Sequence, residues 1–553
     1  MKNDNYLKPI LILALLGYFC FMFGNGLVSL TIPDEVFYAQ SAKEMTLNHS
    51  WMTPYLFGQP QFEKPILFFW LLRIGYILFG VNSFAARFFP ALFGIIGVIA
   101  VYLLGSIGFK DRRKAFISAL VLMTCGLYVG LARTVFTDLI FTVFILLALL
   151  SFYWGYAFQA KKGPGILLFF IFSAGAVLTK GPLGLIIPLL TVFMFLFIKR
   201  ELKFIWNRYL AWGVLLFSFI ALPWYVWMTK VYGNEFIREF FYNDHFRRLV
   251  EAEHHSNDTW YFYPFSMVGC IFPWSFFFVF SLFSLPGHLK EKDNSFYVFL
   301  FCLVGIVFMI FQSAHSKLVS YIFPLFPALA LIVGGFIAGA LTEKKNGYLY
   351  LGVILGIVTV FLLPLALIIV AIWFKKYLVL YLSSKLVLSL FIAIPLIFGA
   401  ILVFLVLQKK LFQAICGLAF FVPLLIYFIP FVQKDIAPYI STQDSCQYLL
   451  KNYNVQNVIL SSKFFVRGVK YFTDKEVAVI DIPGTPFFSP HPVPFLNTQE
   501  KLSSFLRFQK VTYCILKKNS LTDVSRLSAQ EFKITVLKII GNEFIVKIET
   551  LTK

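Results

Sequence analysis

Residues 31–45 read TIPDEVFYAQSAKEM, directly after the first long apolar run, and residues 61–70 read QFEKPILFFW. The run from Ile10 to Leu30 is long enough, at about 1.5 Å of rise per residue, to cross a hydrocarbon core of about 30 Å. It exceeds the core of a signal peptide and lacks a small-x-small cleavage site, so it reads as a retained first span. Asp34 and Glu35 therefore stand at the mouth of an opening helix, and a third acid, Glu63, precedes Lys64 and Pro65. Charges against apolar surface at a membrane edge are costly unless they are paired or used. The competing reading is a solvated loop.

The surrounding chain fits a membrane setting. Its 553 residues are 59% hydrophobic, include 69 Phe and are only 14% charged, against about 25% charged in an average soluble protein. Repeated apolar runs of this length define a polytopic helical membrane protein. About thirteen spans are expected, near 8–30, 84–108, 114–131, 134–157, 164–178, 182–199, 209–228, 262–284, 295–311, 318–341, 347–374, 386–407 and 410–431. The shorter apolar stretch 65–80 carries Arg73 and reads as a helix lying in the interface of the first external loop.

A net charge of +21 raises the question of nucleic acid. The basic residues form no binding stripe, however, and nucleic acid is excluded as a partner. They sit in short loops: Lys110, Arg112, Arg113 and Lys114; Lys161 and Lys162; Lys199, Arg200, Lys203 and Arg208; Lys290 and Lys292; Lys344 and Lys345; Lys409 and Lys410. Counted along thirteen spans, all fall on the side of the N-terminus, which the positive-inside rule places in the cytoplasm. Lys375 and Lys376 are the exception. Membrane lipids and phosphate-bearing substrates are the expected partners of such charge. The seven cysteines are scattered and form no C-x-x-C pair, so neither a zinc motif nor a disulfide framework is present.

Beyond about residue 431 the composition becomes that of a soluble domain. NVQNVILSS, EVAVIDI, VTYCILKK, FKITVLKII and EFIVKIE read as strands, and TQDSCQYLLKNY and TQEKLSSFLRF as helices. The expected division is a membrane domain at 1–431 and an external, periplasmic α/β domain at 432–553. IPGTPFFSPHPVPF reads as a loop inside the latter.

On the outer face the orientation collects Asp34, Glu35, Glu63, Lys64, Arg133, Asp138, Lys180, Asp244, His245, Arg247, Arg248, Glu253, His254, His255, His315 and Lys317. Carboxylates can act as bases or metal ligands, and Lys and Arg can hold phosphate. Such a mixture at a bilayer surface suits a substrate that is both lipid-anchored and phosphorylated.

IPDEVFYAQSAKEM resembles the first-loop acid motif of the multi-spanning glycosyltransferases of the GT-C fold. FEKPILFFW is similar to the Glu-Lys-Pro-Pro-Leu-x-x-Trp stretch of the bacterial aminoarabinose transferase branch, which is related to protein O-mannosyltransferases. LARTVFTDLIFTVF, LTKGPLGLIIP, FFYNDHFRRLVEAEHHSNDTWYFYPF with IFPWS, and HSKLVSYIFPLFPALALI resemble further blocks in the same order. The resemblance covers about residues 8–340. The chain departs in having Ile66 where a second Pro is usual, and Asn243-Asp244-His245 where Glu more often precedes His.

The resemblance implies an enzyme that moves a sugar from an undecaprenyl-type phosphate carrier to lipid A or a related envelope acceptor. The reaction would be an inverting displacement on the external face of a bacterial inner membrane. Transfer to a protein hydroxyl is the alternative, and a flippase for a lipid-linked saccharide is the competitor from another class. A transporter would place ionisable groups mid-span and show paired halves; in this chain no internal repeat of fixed period stands out, and nearly all its charges are kept at one interface.

Within that reading the catalytic candidates are Asp34, Asp138 and Glu63. Asp34 serves as base or orienter, or else only caps the following helix. Asp138 faces the same cavity by resemblance, or forms a structural ion pair with Arg133. Glu35, Tyr38, Tyr55, Lys64, Arg133, Lys180, His245, Arg247, Arg248, Lys317 and Tyr321 are the substrate-binding candidates. Of Arg247 and Arg248, one is expected to face the site. The tyrosines would pack on sugar or polyprenyl chain, unless they are interfacial anchors. Glu63 with His245 could hold a divalent Zn or Mn ion, as the branch suggests.

Overall fold

The computed structural model describes residues 6–251, 255–290, 294–342, 347–373, 385–482, 484 and 492–551. Glu253, His254, Lys292, Lys344, Lys345, Lys375, Lys376 and most of the loop 482–495 lie outside them.

Each of the thirteen apolar runs is helical, but not each is a full span. Among the described residues nine helices are long and apolar enough to cross a membrane, or up to eleven if each of two bent pairs is one span. Two expected spans fall short, as the apolar helices Leu7–Met22 and Leu183–Lys199. The first apolar run loses its helix after Met22, and Gly24 takes up positive φ. The remainder of that run, to Leu30, is turn and extended chain. The protein is nonetheless a multi-pass membrane protein.

The bent pairs support each other. Arg112–Thr124 and Gly126–Ala132 meet at 65°, and Phe262–Cys270 and Ser275–Ser284 at 110°. Gly126 N–H donates to Phe272 O at 2.8 Å, and Trp274 Nε1 to Thr124 Oγ1 at 3.1 Å. Donors and acceptors freed by one break are thus satisfied by the other, as an apolar medium requires.

The loop after the first apolar run builds a shelf. The helix Asp34–Leu47 is followed by a hairpin, β1 Tyr55–Leu56 and β2 Gln59–Pro60, and by the helix Ile66–Phe79 that replaces the expected stretch 65–80. Glu44 fixes the hairpin by accepting from Phe57 N–H at 2.9 Å and Gly58 N–H at 2.8 Å. Further on, the helix Arg208–Ile237 breaks direction at Gly233, whose φ of 56° and ψ of −134° suit a residue without Cβ. A π-helical segment, Arg238–Phe246, follows it and carries Asp244.

The helix Leu411–Ile440 continues past residue 431 into the sheet-bearing part. That part holds six strands in the order β5-β4-β3-β6-β8-β7: β3 Ile459–Ser462, β4 Val477–Ile480, β5 Phe495–Leu496, β6 Val511–Leu516, β7 Phe532–Ile540 and β8 Glu543–Thr550. β5, β4, β3 and β6 run parallel, and β8 and β7 close one edge antiparallel. The helices Val466–Thr473 and Lys518–Ser525, which follow β3 and β6, were not expected from the sequence.

The sheet-bearing part rests on the shelf. One continuous apolar core includes Val36, Phe68 and Leu72 of the shelf together with Val466, Val469 and Ile515. Lys43 Nζ reaches Asp474 at 2.7 Å and the Tyr471 carbonyl at 2.9 Å. Gly468 permits this approach, since a Cβ there would stand 2.7 Å from Ile32 Cγ2 and 2.4 Å from Thr442 Oγ1.

Candidate functional site

Asp34 and Glu35 are adjacent in sequence but point to different ends. The helix begins at Asp34 with Pro33 in the N-cap position, so Asp34 is a first-turn residue rather than the cap. Its side chain is exposed, and its charge complements the positive end of the helix. Glu35 is fully buried. Its two oxygens take Arg87 Nε at 2.8 Å and Arg87 Nη2 at 2.6 Å, together with the Val135 amide at 3.0 Å and the Thr31 amide and hydroxyl at 2.9 Å. Burial alone would raise the Glu35 carboxyl; the charge and hydrogen bonds of Arg87, with Thr31, hold it below its ordinary value. Glu35, expected to bind substrate, is instead a structural ion pair whose acceptors are all taken.

The charges of three acids act on one phenol. Tyr38 is buried edge-on against Phe68, with centroids 5.2 Å apart. Its phenol is pushed well up by burial and then by the charges of Asp138, Glu63 and Asp34. These three residues come from separate segments of the chain, and the fold brings the charge of each to bear on a single side chain.

Cations bracket the same region. Lys64 Nζ lies 2.6 Å from Asp244 Oδ2, and Arg248 Nε 3.1 Å from Asp244 Oδ1. Arg248 Nη1 donates to Tyr321 Oη at 2.7 Å. Lys180 Nζ stands 4.9 Å from the centre of the Tyr321 ring and 2.5 Å from Asp138 Oδ1. Lys64, Lys180, Arg248, Asp244 and Tyr321 thus line one cavity of about 250 Å³, three cations against one acid. The rest of its wall is largely apolar, including Phe141, Leu183, Ile310 and Phe311, and Ile186 and Leu249 at its margin are exposed. A cavity with a cationic end and an apolar wall open at its margin can hold a phosphate with a hydrocarbon tail.

Glu63 is half-buried beside this cluster, and among the described residues its carboxylate makes no hydrogen bond or ion pair. Burial raises its carboxyl above the ordinary value; the charges of Arg467, Lys64 and Arg248 oppose the rise and Asp244 adds to it. A carboxylate in that state can accept a substrate hydroxyl or serve as a metal ligand. The side chain of His245, its expected co-ligand, lies outside the described residues. Among those described, no group of three His, Cys, Asp or Glu side chains converges to hold a metal.

Other expected site residues are engaged elsewhere. Arg133 does not pair with Asp138, which takes Lys180 instead; it donates to the carbonyls of Cys20 at 3.1 Å and Phe23 at 3.0 Å, capping the end of the first helix. Arg247 turns to Glu251 at 2.6 Å, leaving Arg248 as the arginine in the cavity. Lys317 is buried and held by Asp258 at 2.9 Å, which also takes His315 Nδ1 at 2.7 Å. Tyr55 lies in the β1 strand with Tyr232 as its neighbour, and burial raises its phenol.

Sequence reasoning missed Arg87, Arg467 and Asp258. Arg87 carried a signal, since an arginine within an apolar span needs a buried partner. Arg467 carried none: it lies in the distant sheet-bearing part and comes over the Phe37 ring, 4.6 Å from its centre.

The chain is similar to known proteins in sequence and in fold. Residues 10–232 match the family model described as dolichyl-phosphate-mannose-protein mannosyltransferase. The chain is 30% identical over 352 residues to the undecaprenyl phosphate-alpha-4-amino-4-deoxy-L-arabinose arabinosyl transferase of Edwardsiella ictaluri, covering 60% of this chain and 61% of that protein. It is 32% identical over 338 residues to an uncharacterized protein of Aquifex aeolicus, covering 61% of this chain and 65% of the relative. The chain thus spans somewhat less than two thirds of the length of these relatives. The crystal structure of ArnT from Cupriavidus metallidurans bound to undecaprenyl phosphate has the same fold over 97% of both chains, with a TM-score of 0.78 at 19% identity.

Proposed function

We propose that this chain belongs to the GT-C aminoarabinose-transferase and mannosyltransferase-like family and transfers a sugar from a polyprenyl-phosphate carrier to lipid A or a related envelope acceptor. The observation that carries the reading is the cluster Lys64, Lys180 and Arg248 at the polar end of an apolar-walled cavity. Lys64 and Arg248 share Asp244, so a donor phosphate can take over one cationic partner while Asp244 retains the other. Undecaprenyl phosphate is the ligand of the ArnT structure and is the carrier proposed here.

The reaction is an inverting displacement. The acceptor oxygen bonds to the anomeric carbon, the bond from that carbon to the phosphate oxygen breaks, and the electron pair departs on the phosphate. Lys64 and Arg248 stabilise the charge that grows there, in a site where preorganised cations count most. Asp34, exposed at the helix start, takes the acceptor proton. Glu63 and Asp138, whose charges act with that of Asp34 on Tyr38, orient the sugar hydroxyls, and the alignment of donor and acceptor supplies much of the rate. A metal ion at Glu63 and His245 would add Lewis acidity; the displacement as written runs through side chains.

The proposed setting is a bacterial inner membrane, with a cytoplasmic N-terminus and the sheet-bearing part in the periplasm, following the loop lysines and arginines. Mass spectrometry of lipid A from cells with and without the chain tests the function. A sugar-sized mass difference that is lost with Asp34→Asn is expected. Lipid A of unchanged mass would overturn the choice of acceptor, and full activity of Asp34→Asn would remove Asp34 from the mechanism.

A further inference from the structure

The sheet-bearing part contains a second cavity of about 350 Å³ that the transfer reaction as described does not use. Its position follows from the strand order. β3 is flanked by β4 on one side and β6 on the other, all parallel, so the chain leaves β3 and β6 toward opposite sides. In open parallel sheets the crevice outside the carboxyl ends of such strands is where ligands bind. Ser462 ends β3 and Lys517 directly follows β6, and both line this cavity.

Its chemistry is that of an anion site. Among the described residues Lys463, Arg467 and Lys517 line the cavity with one acid, Asp481, which lies 3.9 Å from Lys463. The cations are held in place: Lys517 Nζ stands 3.6 Å from the centre of the Phe464 ring, and Arg467 4.6 Å from that of Phe37. Ser462 Oγ accepts from the Lys517 amide at 2.8 Å and donates to Ser520 Oγ at 2.7 Å, which ties the two strand ends together. A partly buried, fixed set of cations selects anions of matching geometry better than mobile surface lysines do.

The crevice also touches the reaction site. Pro33, next to Asp34, forms part of its wall, and Arg467 both lines it and acts on the Glu63 carboxyl. An anion seated there would lie against the residue that precedes Asp34 and against an arginine whose charge reaches Glu63.

We propose that the crevice between β3 and β6 binds a phosphate group on the saccharide headgroup of the acceptor glycolipid, and so sets which acceptor hydroxyl reaches Asp34. This rests on the transferase reading above. It assigns the sheet-bearing part the acceptor and the membrane cavity the donor.

Binding measured on the full-length protein in detergent tests it without requiring sugar transfer. The probe is a bisphosphorylated, tetra-acylated glucosamine disaccharide, compared with its dephosphorylated counterpart. The wild type is expected to prefer the phosphorylated form by ~10-fold or more, as loss of a charge-assisted contact implies. Lys463→Gln with Lys517→Gln should abolish the preference, and Lys463→Arg with Lys517→Arg should keep it, which guards against misfolding as the cause. Inorganic phosphate at about 10 mM should not displace the probe, since the headgroup brings further contacts. No preference in the wild type, or an undiminished preference in the glutamine variant, would overturn the proposal. Displacement by inorganic phosphate would assign the crevice to a free anion instead. Headgroup binding that survives while no sugar is transferred would count against the reaction alone.

Discussion

Lys64 Nζ lies 2.6 Å from Asp244 Oδ2, although 180 residues separate them in the chain. The pair joins the shelf of the first loop to the π-helical segment that follows Gly233, and it fixes the polar end of the cavity. Removing one charge-assisted contact to phosphate costs about 1.5–3 kcal/mol, which is roughly a 10- to 150-fold loss. Lys64→Ala should therefore lower kcat/KM for the phosphate-linked donor by about that factor. Steady-state kinetics with varied donor measures it, and an unchanged value would take Lys64 out of donor binding.

Glu35 and Arg87 predict a different phenotype. Both are almost wholly buried, and the pair is surrounded by backbone partners. Removing one member leaves an uncompensated buried charge, at a cost of about 3–5 kcal/mol. Glu35→Ala should lower thermal stability in detergent and the yield of folded protein. A stable but inactive Glu35→Ala protein would return Glu35 to the substrate-binding residues.

Glu63 gives the reaction a pH signature. Its carboxyl titrates above the ordinary glutamate value because it is buried, and Arg467 pulls it down. If the ionised form orients the sugar, activity should fall as pH drops through that raised value, at higher pH than an ordinary glutamate would give. Arg467→Gln should move this acid limb further upward, and Glu63→Gln should remove it together with most of the activity. A pH–rate profile with the same acid limb in the wild type and Arg467→Gln would show that the two groups do not interact.

Glu543 gives the sheet-bearing part a pH-dependent stability. It is buried at the start of β8, and burial pushes its carboxyl up to about 8, with Ser445 pulling it down and Asp444 adding to the rise. Between the ordinary value of 4.5 and about 8 the folded chain keeps a proton that the unfolded chain has released. Stability therefore falls as pH rises through that window, by up to about 1.4 kcal/mol per pH unit. Glu543→Gln should flatten the dependence and raise the unfolding midpoint at pH 8. Parallel pH curves for both proteins would contradict the assignment.

The parts of this site that local sequence could carry were readable from it. Asp34, Glu63 with Lys64, Asp138, Lys180 and Arg248 each stand in short blocks at the ends of apolar runs, and the interface charge rule selects them. Their partners were not readable, because pairing is set by packing. Whether Asp138 meets Arg133 five residues away or Lys180 on the next helix depends on helix rotation, and the structure chooses Lys180. Glu35 looked like Asp34 in sequence, but one step along a helix turns a side chain by about 100° and sends it to Arg87. Among the described residues fewer than thirteen helices are long and apolar enough to span, for a similar reason. Hydropathy sees apolar length and not where a helix ends, so Leu7–Met22 was read through to residue 30. In the sheet-bearing part strand-like runs revealed β3, β4, β6, β7 and β8, while the two-residue β5 has too short a pattern to detect.

The most direct test of the central claim is a structure of the full-length protein with undecaprenyl phosphate bound. The account predicts the phosphate at the polar end of the membrane cavity, within about 3 Å of Lys64 Nζ and the Arg248 guanidinium, with the polyprenyl chain running past Phe311 and Leu183. A phosphate bound away from Lys64, Lys180 and Arg248 would contradict it.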